Sequence, residues 1–120
     1  MRMHTPAAAL VLALAAFSGA ASAQTTTGGW AVVGPEGAVL KHQNVTKVHH
    51  IGTGTYRIEF NNDVSGCVYT GNVRGVVKSL VPGILDVARH DTDANAVFVR
   101  IFDAATLLPM DEKFNLLVSC

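Results

Sequence analysis

Short runs of apolar residues, alternating with polar ones and separated by turn residues, dominate the chain from Trp30 to its end. The cleanest alternation lies in TYRIEF at residues 55–60, where Tyr56, Ile58 and Phe60 would share one face of a strand. The run AVFVRIF at 96–102 is rich in β-branched and aromatic residues and is the strongest predicted strand. No window beyond residue 29 sustains the 3.6-residue period of an amphipathic helix. The pattern therefore predicts an all-β fold.

The predicted strands are short and regularly spaced. They cover residues 30–33, 38–42, 45–51, 55–60, 67–70, 76–80, 84–90, 96–102 and 114–120. Turn signals such as GPEG at 34–37 separate them at intervals of roughly eight to twelve residues. Short connections favour antiparallel pairing. We therefore predict an antiparallel β-sandwich, or a partly open barrel, of about seven to nine strands.

The beginning of the chain has the order of a secretory signal peptide. Arg2 precedes the apolar run AAALVLALAAF at 7–17, and small residues follow, ending in ASA at 21–23. This run is shorter than the ~20 apolar residues that a membrane-spanning helix needs, so no membrane insertion is expected after cleavage. We expect a signal peptide at 1–23, a flexible leader at 24–29 and one all-β domain at 30–120. The protein would be secreted or periplasmic.

The charge distribution argues against nucleic acid as a partner. The chain has nine Lys and Arg against nine Asp and Glu, and it has no block of five or more like charges. A nucleic-acid-binding domain normally shows a concentrated basic face. The sequence therefore favours other partners.

The two cysteines, Cys67 and Cys120, are expected to form one disulfide. Both lie in the exported part, and an even number of cysteines in an oxidising compartment is typical of a structural disulfide. Closing the 54 residues from 67 to 120 would stabilise the fold by roughly 4 kcal/mol on the chain-entropy account. It would also hold the last residue of the chain on a central strand, because a free terminal strand frays. Neither cysteine has a Lys, Arg or His within three positions, which argues against a redox thiol.

Histidines are the first candidates for a metal site. Zinc needs three or four converging ligands, and His42, His49, His50 and His90 remain after cleavage. His49 and His50 are neighbours in a predicted strand and would point to opposite faces. His42 and His49 could approach each other across a hairpin. Solvent-facing strand histidines remain the favoured interpretation.

Two further patterns fall short of the chemistry that they resemble. The cluster at 91–95 begins like a calcium loop, but the sixth and twelfth places hold Ala96 and Phe102 instead of Gly and Glu. Ser65, in DVSG at 63–66, lacks the preceding glycine of a nucleophile elbow. Both stretches are predicted as turns. We predict no metal, no cofactor and no catalysis.

Three stretches resemble a family of small exported bacterial all-β domains of unknown function. They are GTGTYRIEFNNDVSGCVYTG at 52–71, NAVFVRIFDAA at 95–105 and FNLLVSC at 114–120, similar to the family pattern GTGxYxVxF, DVSxCxY, NAVFV and FxLxVxC. The resemblance covers Trp30 to Cys120. It implies an all-β fold, a paired Cys67 and Cys120, and no activity. Related domains lie at the ends of longer surface or tail-like proteins, which implies binding. The chain departs from the pattern at residues 106–108, TLL, where a turn containing glycine is usual.

Three classes of function remain open. The first is an exported module for binding or adhesion through loops, with a surface glycan or a protein as partner. Its best candidate loop is 103–112, where Leu107, Leu108, Pro109 and Met110 would expose apolar surface; the same residues could instead fold back as a lid on the core. The second class is a structural or homo-oligomerising envelope or surface protein. The third and least favoured is a small secreted hydrolase.

Overall fold

The computed structural model describes residues 27–74 and 82–120. The predicted signal peptide, residues 24–26 of the predicted leader and the predicted strand 76–80 lie outside them. The described residues form eight strands and no helix, so the all-β prediction is confirmed and no helix there could cross a membrane. The strands are β1 Gly28–Val33, β2 Val39–Gln43, β3 Val45–Gly52, β4 Thr55–Phe60, β5 Val68–Val73, β6 Gly83–Arg89, β7 Ala96–Asp103 and β8 Phe114–Ser119.

The strands form two antiparallel sheets of four strands each. The first sheet has the order β2-β1-β8-β5, and the second has the order β3-β4-β7-β6. Three hairpins, β1–β2, β3–β4 and β6–β7, connect neighbours in sequence. The loop between β7 and β8 carries the chain from the second sheet back to the middle of the first. The described residues therefore form the predicted antiparallel sandwich.

The core lies between the sheets and follows the alternation of the sequence. In β4 the even-numbered residues are buried, while Thr55, Arg57 and Glu59 remain partly exposed on the outer face. In β8 the same alternation buries every second residue from Phe114. The largest fully buried side chains come from both sheets and include Tyr56, Phe60, Phe114, Ile58, Ile101 and Leu116.

β1 begins two residues earlier than the sequence indicates. Gly28 and Gly29, assigned above to the leader, belong to the first sheet. Gly28 is buried with a φ of 147°, and a Cβ built on it would lie 2.4 Å from the carbonyl oxygen of Val118. Glycine is needed there because β1 and β8 approach so closely.

The disulfide between Cys67 and Cys120 is present, with Cα atoms 4.3 Å apart. Val68 of β5 pairs with Ser119 of β8, so the two cysteines are the next cross-strand pair of the same sheet. The expected arrangement was reversed: Cys120 follows an inner strand, and Cys67 precedes β5, which is an edge strand among the described residues. The bond thus ties an edge strand to an inner one. A disulfide in a small all-β domain is compatible with an oxidising compartment.

Candidate functional site

The loop between β7 and β8, residues 104–113, folds back along the end of β7. Pro109 forms a β-bridge with Phe102. The amide of Asp103 donates to the carbonyl of Leu108 at 2.9 Å, and the amide of Met110 donates to the carbonyl of Ile101 at 3.0 Å. The loop is therefore held by backbone hydrogen bonds to the strand before it.

The carboxylate of Asp103 shapes the first turn of this loop. Its Oδ1 accepts the amides of Ala105 at 2.8 Å and Thr106 at 3.0 Å. The amides of Thr106 and Ala105 hold the pKa of Asp103 below its usual value. The amide of Leu107 donates to the carbonyl of Asp103 at 2.8 Å. An aspartate that bonds the backbone two residues ahead is the usual origin of such a turn.

This turn leaves Leu107 in an unusual backbone conformation. Its φ is +60°, in the left-handed region that few residues other than glycine adopt. Leu107 is 65% exposed, and Leu108 is 64% exposed. Pro109 is exposed too, whereas Met110 packs against the core. The left-handed residue falls in the stretch where the family resemblance leads us to expect a glycine-containing turn.

Leu107 lies beside an apolar groove on the second sheet. The groove has a volume of about 450 Å³ and is lined by Ile84, Leu85, Asp86, Phe102 and Leu107. Ile84 and Phe102 face each other across β6 and β7.

The rim of the groove carries an ion pair. Arg100 donates from Nη2 to the carboxylate of Asp86 at 2.9 Å. Its guanidinium carbon lies 5.8 Å from the centroid of the Phe102 ring, within the range of a cation–π contact. The groove therefore has an apolar floor and a polar edge.

No protein-family model, curated protein or solved structure matches this chain. The family resemblance noted above stays a prediction. The function is therefore argued from the surfaces of the molecule itself.

Asp111 fixes the far end of the loop to the β3–β4 hairpin. Its Oδ1 accepts the amide of Gly54 at 2.6 Å and lies 2.9 Å from Nε2 of His50. The Gly54 amide foremost, and then His50, hold the pKa of Asp111 below its usual value, against the opposing effect of burial. The His50 ring stacks on Tyr56, with centroids 4.9 Å apart. Two distant parts of the chain are joined in this way.

Tyr56 supports this cluster from inside the core. It is fully buried, and its hydroxyl donates to the carbonyl of Pro35 at 2.5 Å. Burial, with a contribution from Asp111, raises the pKa of Tyr56 to about 12. The Tyr56 hydroxyl is buried and already donated to a carbonyl, so it acts here as a structural anchor for the loop. Sequence reasoning missed it because Asp111 is 55–61 residues away from His50, Gly54 and Tyr56. The only local signal was a tyrosine on a buried face, whose hydroxyl needs a partner.

The remaining histidines do not converge. His49 hydrogen-bonds Glu59 on the outer face of the second sheet, while His50 bonds the loop, so the predicted opposite orientation is confirmed. The prediction that His42 and His49 could approach each other across a hairpin is wrong, because β2 and β3 belong to different sheets. His90 accepts backbone amides with its Nδ1 in the turn that follows β6. Within residues 27–74 and 82–120, no three His, Cys, Asp or Glu residues are placed to hold a metal ion.

The two turns predicted from Asp-rich patterns are confirmed as turns. Asp93 accepts the amide of Asn95 through Oδ1 at 3.0 Å. Asp63 accepts the amide of Ser65 at 2.8 Å and its hydroxyl at 2.6 Å. The side chains of Asp93 and Ser65 are therefore engaged in local hydrogen bonds.

Proposed function

We propose that this protein is an exported binding module that takes up an apolar segment of a protein partner at the β7–β8 loop and the groove beside it, without catalysis. The observation that carries the proposal is the backbone of Leu107, a left-handed leucine whose side chain is mostly exposed.

That conformation is costly for the isolated protein. A residue with a Cβ loses about 1–2 kcal/mol in the left-handed region compared with the right-handed one. An exposed leucine recovers little of this by burial, whereas glycine or asparagine would avoid much of the cost. Strained residues of this kind cluster at functional sites, where the surrounding structure holds them. The hydrogen bonds of Asp103 and Asp111 supply that hold.

The chemistry of the surface favours a protein partner. Leu107 and Leu108 offer aliphatic surface with no hydrogen-bonding group, so burying them favours an apolar side chain over sugar hydroxyls. The groove next to Leu107 has room for such a side chain, and the Asp86–Arg100 pair at its rim can hydrogen-bond a flanking backbone. The signal-peptide pattern and the disulfide support an exported location.

The test uses a phage-displayed library of random peptides and the variant Leu107→Asn. Asparagine tolerates a positive φ, so this variant should fold while losing the aliphatic side chain. Leu40→Thr is the matched control, because Leu40 is a 51% exposed leucine on β2 of the first sheet. A synthetic peptide from the selection, at a hundred times its dissociation constant, should raise the midpoint of unfolding by more than about 10 °C in wild type and Leu40→Thr.

Leu107→Asn should show almost no shift with the same peptide. Equal shifts in all three proteins, or failure of the library to yield any binder, would contradict the proposal. Light scattering of wild type and Leu107→Asn tests the homo-oligomeric alternative. A wild-type dimer that dissociates in Leu107→Asn would favour that alternative over the binding module.

A further inference from the structure

A second surface lies on the outer face of the first sheet, opposite the groove beside Leu107, and it includes Lys113 at the end of the β7–β8 loop. In β1, Ala31 and Val33 are buried in the core, so Trp30 and Val32 point outward. Trp30 is the only tryptophan of the chain, and it is half-buried. Its indole Nε1 donates to Oε1 of Gln43 on β2 at 2.9 Å, which fixes the orientation of the ring.

The neighbours of Trp30 give this face a mixed character. Leu117, its register partner on β8, is 51% exposed. A depression of about 330 Å³ adjoins the indole and is lined in part by Gln43, Leu117 and Ser119. One row further along the strands, Asn115 donates from Nδ2 to Oδ1 of Asn72 at 3.4 Å. The face thus combines one aromatic ring with side-chain amides and hydroxyls.

Cations gather at the other end of the same face. Lys41 pairs with Val32 in the row of Asn115 and Asn72. Lys113 and Arg74 follow in the next row, where the amide of Arg74 donates to the carbonyl of Lys113 at 2.7 Å.

Acidic residues offset these cations only in part. The four strands of the first sheet contain no Asp or Glu. None of Lys41, Arg74 and Lys113 forms an ion pair among the described residues. Glu112, the acid next to Lys113, accepts the Lys113 amide with its carboxylate at 3.2 Å and keeps its negative charge. Three cations therefore stand against this one neighbouring carboxylate, which leaves a positive excess at this end of the face.

We propose that this face, from Trp30 to Lys113, binds an acidic oligosaccharide chain that carries sugar carboxylates. A sugar ring has an apolar C–H face that packs on an indole and a rim of hydroxyls that matches amides, which both donate and accept. Carboxylates of the oligosaccharide are complementary to Lys41, Arg74 and Lys113, which form no ion pair with another described residue. The row of Trp30 and Leu117 is four residues along the chain from the row of Lys113, just before β8, which is about 14 Å at ~3.4 Å per residue. Such a length requires several sugar rings.

Other ligands fit the same face less well. An apolar protein surface would strip water from the amides and the cations, which is costly without replacement hydrogen bonds. A single-stranded nucleic acid also combines rings and negative charge, but it typically uses several stacking aromatics. Among the strands of the first sheet, Trp30 is the one aromatic residue on this outer face.

The test titrates the purified protein with hexamers of galacturonate, of mannuronate and of the hyaluronan repeat, followed by Trp30 emission and by calorimetry. At least one hexamer should bind. Its fully methyl-esterified form, which lacks the charge, should bind at least about fivefold more weakly. Lys41→Gln and Lys113→Gln should each weaken binding by about two- to fivefold, the range of exposed ion pairs. Lys47→Gln, the same change on the second sheet, should have no effect.

Trp30→Ala should weaken binding by about fivefold or more in calorimetry, and Trp30→Phe should restore part of the loss. If Trp30→Ala fails to fold, Asn115→Ala replaces it and should also weaken binding. Three results would overturn the proposal: no binding of any hexamer, binding that is unaffected by the Lys41, Lys113, Trp30 and Asn115 variants, or tighter binding of an oligothymidylate than of every hexamer.

Discussion

Removing the Cys67–Cys120 disulfide should cost the domain about 4 kcal/mol of unfolding free energy. The two cysteines are 53 positions apart. Closing a loop of that length lowers the entropy of the unfolded chain by an amount equivalent to about 4 kcal/mol at 25 °C. A domain of this size has a total stability of only ~5–15 kcal/mol. The variant Cys67→Ala/Cys120→Ala, unfolded in urea and followed by Trp30 emission, should therefore lose a large part of its stability, as should wild type with a reductant.

Hydrogen exchange separates this explanation from a local one. If the disulfide acts on the unfolded state, the slowest amides of β4 and β7 should exchange about a thousandfold faster in the variant, because 1.4 kcal/mol corresponds to a factor of ten. These strands belong to the sheet that the bond does not touch. A loss of protection confined to β5, with less than about 1 kcal/mol lost in urea, would refute the reasoning and show that the bond only prevents fraying of an edge strand.

Three further substitutions test the hold on the β7–β8 loop. Gly54→Ala places a Cβ 2.5 Å from the carbonyl oxygen of Ile101 at a φ of 67°, so its free energy of unfolding in urea should fall by about 1–2 kcal/mol or more. Gly52→Ala is the control, because the space around its Cβ is open, and it should lose less than about 0.5 kcal/mol. Equal losses in the two variants would disprove the clash. Tyr56→Phe should cost about 1–2 kcal/mol. The stability of wild type should decline as pH rises from 10 through about 12, because the folded protein favours the neutral phenol of Tyr56, and Tyr56→Phe should abolish this decline. A decline that persists in the variant would have to come from another group. Because the pKa of Asp111 is lowered in the folded protein, this carboxylate contributes stability that is present above pH 3.8 and is lost as the pH falls through its folded-state pKa. The stability of Asp111→Asn should therefore be less sensitive to acid than that of wild type. An identical acid profile would argue against the anchor.

Local pattern was sufficient to predict most strands of the sandwich, but β5, predicted at residues 67–70, runs from Val68 to Val73. β4 has the predicted bounds, and β7 and β8 differ from theirs by one residue, since alternating side chains must put one face in the core. The start of β1 was missed for the opposite reason. Gly28 and Gly29 have no side chains to alternate, and what requires a glycine at position 28 is the close approach of β8, far away in sequence.

The candidate site could be predicted only as a choice between two arrangements. Composition showed that Leu107 and Leu108 were apolar, but it did not show whether they would cover the core or face the solvent. That outcome depends on Asp111 reaching Gly54, 57 residues away, and on the bridge of Pro109 to Phe102. Of the predicted loop residues 107–110, Met110 packs on the core. It lies beside Gly54, the residue whose amide Asp111 binds.

The two proposed surfaces point away from each other because they lie on the outer sides of two packed sheets. Such sheets are about 10 Å apart, with the core between them. A ligand on the face of Trp30 would therefore not touch a ligand held by Leu107. The protein could then join an acidic glycan to a protein partner, which is the task of an adhesion module. The arrangement requires that the selected peptide and the uronate hexamer bind together with unchanged affinities, and competition between them in calorimetry would rule it out.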